Sequence, residues 1–159
     1  MAGYVKHFVG HEYPNGDYKL APEATDGIKV GGFVAIDHTE KEFDVPTGDV
    51  AGSVYFVDNE TDYLVSANQD ERNFLVNAGD FVKAKPVIDG EMFVTDMFED
   101  GVAVGDMLAV GTGGELLPIA TLTASDFTTF EAVFVVTELV THFGLSMIIV
   151  VANTKQKTA

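Results

Sequence analysis

The sequence predicts an all-β fold: a small β-barrel or sandwich preceded by an N-terminal arm, with at most one or two short helices. Three observations carry this expectation. Val, Ile, Phe and Thr recur in short runs separated by Gly, Asp and Asn, the residue choice of pleated strands and tight turns. Turn signals return roughly every 8–12 residues, the rhythm of a closed or two-layered sheet. No window sustains apolar residues at helical spacing through several turns.

The elements follow in chain order. Residues 1–27 form an arm or hairpin ahead of a β-barrel domain spanning 28–159. In the arm, Tyr4, Phe8, Tyr13 and Tyr18 alternate with His, Lys and Glu around Pro14-Asn15-Gly16-Asp17. The Asn-Gly step is a hairpin signal, and exposed aromatics equally suit a segment that docks on a neighbour. Strands are expected over 29–37, 52–57, 63–66, 74–76, 81–88, 92–97, 107–110, 116–122, 131–139 and 145–152. Asp89-Gly90, set between two apolar runs, predicts a hairpin joining its flanks. One helical turn fits within 68–77 and another within 123–130, with Thr123 or Ser125 as N-cap. The apolar run 133–151 carries Glu138 and His142 near its middle, which are costly in hydrocarbon, so it reads as two strands joined near 141–144.

A weak repeat runs through the chain. Gly31-Gly32, Gly79-Asp80 and Gly105-Asp106 each lead into a strand, the glycine giving backbone freedom and the aspartate an acceptor for nearby amides. Their unequal spacing excludes a solenoid and points to one kind of turn reused in a single barrel.

Composition bounds the chemistry. A chain of 159 residues fits one domain and can bury a real core. It contains no Cys, so disulfides and thiolate sites are excluded. With 25 acidic against 9 basic residues, the formal net charge is −16. That field opposes nucleic acid and anionic membrane, whose binding needs Lys and Arg to displace counterions, and suits solubility, a complementary basic protein surface or bound cations.

Motif by motif, the sequence predicts no enzyme and no cofactor. Gly111-Thr112-Gly113-Gly114 lacks the lysine and following helix of a phosphate loop, and Glu115 would repel phosphates, so it reads as a hairpin hinge. His7 and His11 lie in extended chain, and His38 and His142 are isolated. No serine stands in a nucleophile elbow. Asp58, Glu60 and Asp62 are weak calcium candidates: Tyr63 stands where the loop glycine belongs and Gln69 where the closing glutamate belongs, which favours a solvated turn. The acidic patch Asp96, Glu99 and Asp100 is read the same way. Val102-Ala103-Val104-Gly105-Asp106-Met107-Leu108 resembles a stretch of biotinyl and lipoyl carrier domains, but no lysine lies between Lys85 and Lys155 to carry the group.

Taken together, 78–83, the hairpin 104–116 and the closing strands 130–136 and 147–151 resemble the capsid decoration, or cement, proteins of tailed bacteriophages. The resemblance implies a β-barrel or β-tulip-like body and an arm reaching capsid proteins or sister subunits. It implies a virion structural protein on the outer capsid surface, assembled in the host cytoplasm, which binds the major capsid protein as a homo-oligomer, a trimer being favoured. Tyr4, Phe8, Tyr13 and Tyr18 are then the expected grip. The competing expectations are a head-fibre base or tail-tube subunit, and a small β-barrel carbohydrate-binding module.

Overall fold

A computed structural model of the chain describes residues 18–59, 75–121, 130–142 and 144–154. In chain order the strands are β1 (Lys19–Leu20), β2 (Ile28–Lys29), β3 (Phe33–Asp37), β4 (Glu42–Asp44), β5 (Tyr55–Val57), β6 (Leu75–Val76), β7 (Ala84–Pro86), β8 (Met92–Thr95), β9 (Met107–Val110), β10 (Leu116–Pro118), β11 (Ala132–His142) and β12 (Leu145–Thr154). They form one sheet in the order β1-β4-β3-β5-β7, a second in the order β10-β9-β11-β12-β8, and a ribbon of β2 with β6. Helix among the described residues is limited to two 3-10 turns, Thr112–Gly114 and Ile119–Thr121. The all-β expectation holds.

The two large sheets face each other across a core whose centre is aromatic. Phe33 and Phe56 come from the first sheet, Phe93 and Phe134 from the second, and all belong to one buried cluster. The next residue on β3, Val34, points the other way into a second cluster with Leu20, Ile28, Phe43, Val57 and Val76. Where β3 enters it, at Phe33 and Val34, the first sheet is therefore buried on both faces, which explains why the strand opens on consecutive apolar residues instead of alternating. Thr95 is the polar residue of this interior. Its hydroxyl donates to the Gly31 carbonyl at 2.6 Å and accepts the Met97 N–H at 2.9 Å, so both of its roles are used.

The reused turn is real at two of its three positions. Asp80 Oδ2 accepts the Asn77 N–H at 3.1 Å while its own N–H donates to the Asn77 carbonyl at 3.0 Å. Asp106 repeats both bonds with Ala103, at 2.8 and 3.1 Å. Gly79 and Gly105 take φ of +82° and +94° at the third place of these turns, a conformation open to glycine at little cost. At Gly31-Gly32 the backbone bond persists without the aspartate, Gly32 N–H reaching the Lys29 carbonyl at 3.1 Å.

Several expectations are corrected. Asp89-Gly90 is a turn but not a hairpin: β7 pairs with β5 and β8 with β12, so the chain changes sheets there. Asp89 instead accepts the Thr154 N–H at 2.8 Å, docking the turn on the end of β12. Residues 18–27 lie within the body rather than the arm, since β1 pairs in parallel with β4 and Leu20 is fully buried. The strand expected over 81–88 is confined to β7, Phe81 making an isolated bridge to Lys19. Leu75–Val76 form β6, within the strand expected over 74–76, and the rest of the helical turn expected within 68–77 falls outside the described residues up to residue 74. The strand at 63–66 and the turn at 123–129 fall outside the described residues.

Candidate functional site

The glycine cluster sits where the two sheets meet. β9 and β10 pair antiparallel with Val110 opposite Leu116, and Gly111 N–H closes the loop on the Glu115 carbonyl at 2.9 Å. The loop therefore reverses the chain, as its sequence predicts. It also holds the rest of the protein: Gly113 N–H donates to the Pro46 carbonyl at 2.7 Å, and Gly114 packs on the Phe33 backbone.

Beside this loop runs an open groove of about 1050 Å³. Among the described residues its walls carry Glu23, Asp26, Asp44, Asp49 and Glu115 against a single lysine, Lys29. The acidity continues over the β3–β4 hairpin. The Glu42 carboxyl is pushed above its ordinary value, first by partial burial and then by Glu23, Glu40, Asp44 and Asp37. Asp44 is raised by burial, Asp37 and Glu23. Asp37 goes the other way, because the N–H groups of Glu40 and Thr39 bond its carboxylate at 3.1 and 2.7 Å. Such a surface has the charge to receive cationic side chains.

The linkage gives this surface a pH signature. A carboxyl whose native value is raised costs stability as pH climbs from its ordinary value through the raised one, because the folded state holds the proton more tightly. Asp37 contributes with the opposite sign, its stabilisation present above the ordinary carboxylate value and lost as pH falls through the native one. Glu42→Gln is therefore expected to be more stable than wild type at pH 7, with the gap shrinking toward acid pH. Urea midpoints measured across that range check it, and a gap independent of pH would contradict it.

A second surface has opposite chemistry. The outward side of the second sheet is half covered, where Phe130 and Ile119 lie over Ala109 and Val133. The other half is partly exposed, Val135, Ile149 and Val151 being half-buried and Met107, Met92 and Val94 exposed. Cross-strand register aligns Met107, Val135, Val151 and Met92 in one row, and Ile149 with Val94 in the next, Glu138 closing that row. Met92 and Val94 are 61% and 49% exposed.

Of the expected grip residues, Tyr18 alone is described. Its ring packs at 5.9 Å from Phe43 and its hydroxyl meets His38 Nδ1 at 3.5 Å, so it is half-buried at the rim of the first sheet. Tyr4, Phe8 and Tyr13 lie outside the described residues. Of the calcium candidates, Asp58 pairs with Lys85 at 3.3 Å and its N–H donates to the Lys83 carbonyl at 2.8 Å. Asn59 is likewise committed, through Phe81 and Lys83. Glu60 and Asp62 lie outside the described residues. Among the described residues no group of three His, Asp or Glu is placed to hold a metal, and no helix is long and apolar enough to cross a membrane.

Sequence reasoning missed Met92 and Val94. The signal was present in "MFVT": Phe93 and Thr95 face inward while both outward positions are apolar, so that the strand shows no polar side chain to water. Comparison with known proteins gives no match to a family model, a curated protein or a solved structure.

Proposed function

We propose that the protein is a virion structural component that decorates and stabilises the outer surface of a bacteriophage capsid by binding the major capsid protein. The observation that supports this reading is the acidic groove at the seam between the sheets, built on a strand scaffold and continuous with the carboxylates of the β3–β4 hairpin. A rigid acidic body avoids packaged nucleic acid and complements a cationic protein surface. Many copies on a symmetric shell convert a modest contact into firm attachment. The aromatic residues Tyr4, Phe8 and Tyr13 add contact area that an arm can lay across a neighbouring subunit.

The test is retention on expanded capsids, read by electron microscopy and sedimentation. The truncation should remove residues 2–17 and stop there, because Leu20 is a core residue of the body. Density capping the shell, lost on truncation and weakened by salt, is the expected result. A tube, or a protein that never joins a shell, would overturn the reading, and undiminished occupancy after truncation would remove the arm from it.

A further inference from the structure

We propose that the open edge of β8 is a self-association site, at which a second copy of this chain adds its own β8 antiparallel about a two-fold axis beside Phe93. β8 is the last strand of its sheet, paired on one side with β12, and its open edge is confined to the strand itself, because just beyond it Met97 and Glu99 bond Leu116 of β10. Ala152 N–H donates to the Glu91 carbonyl at 2.8 Å. Antiparallel bonding alternates residue by residue, so Phe93 and Thr95 bond β12, while the N–H and C=O groups of Met92 and Val94 face the open side. No other strand of the described residues lies there. An edge whose donors and acceptors meet no backbone partner among the described residues is completed by an extended backbone.

The register selects a second copy as that occupant. Rotation about Phe93 sets Met92 opposite Val94 of the second copy and Phe93 opposite its own equivalent. Glu91 then faces Thr95, and Asp96 faces Gly90, so no like charges are opposed despite the acidity of each body. The four outward groups of each strand all find partners, and the apolar row Met107, Val135, Val151 and Met92 continues into the neighbouring sheet. β8 also lacks the lysines and prolines with which exposed edges are ordinarily blunted. The contact is small beside the roughly 800 Å² per partner of a standard stable interface, so weak, concentration-dependent association is expected. Because the contact is uncharged and the bodies are both strongly acidic, salt should strengthen it. The symmetry is two-fold, which yields dimers and not closed three-membered rings.

The experiment is sedimentation velocity of the full chain from about 1 µM to about 1 mM, at low and high salt. A monomer–dimer equilibrium, tighter at high salt, is expected. Val94→Lys should weaken it at least tenfold even though it lowers the net negative charge, which separates edge blocking from repulsion. Hydrogen exchange on the unmodified chain is the second readout and does not depend on how the variant folds. The amides of Met92 and Val94 should gain protection as concentration rises, while those of Phe93 and Thr95 are protected throughout. A monomer at every concentration, a trimer, association unaffected by Val94→Lys, or association abolished by removing residues 2–17 would each overturn the proposal. None of these outcomes involves a capsid, so they bear on this edge and not on the decoration reading.

Discussion

Gly114→Ala is expected to cost about 3–5 kcal/mol of folding stability, while Gly113→Ala, one residue earlier in the same loop, should cost about 1–2 kcal/mol. The two glycines share nearly the same backbone conformation, with φ of +77° and +76°. They differ in what a methyl group would meet. At Gly113 nothing lies within 4 Å, so an added Cβ carries only the left-handed backbone cost. At Gly114 the Cβ would run into the Phe33 carbonyl oxygen, and would stand 3.1 Å from its amide nitrogen and 3.0 Å from Ile28 Cδ1. Phe33 cannot retreat, because β3 is hydrogen-bonded on both sides and its ring is wedged in the aromatic core. Relief therefore requires the β9–β10 hairpin to lift from the first sheet. Urea unfolding of both variants measures the contrast, and equal costs would show that the hairpin tip is not clamped.

Residues 111–114 show how far the sequence could be read. Their glycines announced a chain reversal, and the missing lysine and helix pointed away from a phosphate cradle. What they could not announce is the neighbour: Phe33 and Pro46 are distant in sequence, and the need for a side chain of zero size appears only when the sheets are stacked. The same division recurs elsewhere. The hairpin of β11 and β12 was legible because an apolar run interrupted by Glu138 and His142 leaves few alternatives. β4 was not, because Glu-Phe-Asp offers one apolar residue and its preceding turn uses Lys41 at φ +58°, where glycine would have been the signal. Asp89-Gly90 misled for a related reason. A turn dipeptide fixes a local reversal of backbone, while which strand each flank then bonds is decided by the core, here in favour of β5 and β12.

The candidate surfaces were less legible than the fold. Net charge predicted an acidic exterior but not where it concentrates, since Glu23, Asp44 and Glu115 come from three separate turns and strands. The partly exposed half of the second sheet is hidden in the sequence by its covered half: Val133 and Val135 are alike as residues, yet Phe130 covers one and leaves the other half-exposed. Periodicity tells which positions share a face, and only packing tells whether that face is covered.

Phe33→Ala is the second substitution expected to act strongly, at about 3–5 kcal/mol. Phe33 is the hub of the contact between the sheets. Its ring lies 4.8 Å from Phe134, 5.4 Å from Phe56 and 6.0 Å from Phe93, each pair tilted or edge-on as aromatic quadrupoles prefer. Truncation opens a cavity walled by three other rings that are themselves held by strand register and cannot collapse into it. A double-mutant cycle with Phe134→Ala should show a coupling of about 1 kcal/mol, because each variant removes the same ring contact. Phe81→Ala supplies the comparison: that ring is 57% exposed, with Lys19 over its face at 4.9 Å, and its loss should cost less than about 1 kcal/mol. If Phe33 and Phe81 proved equally dispensable, the two sheets would not be held together by the aromatic core. The groove at their seam, on which the binding reading rests, would then have no fixed shape to offer a partner.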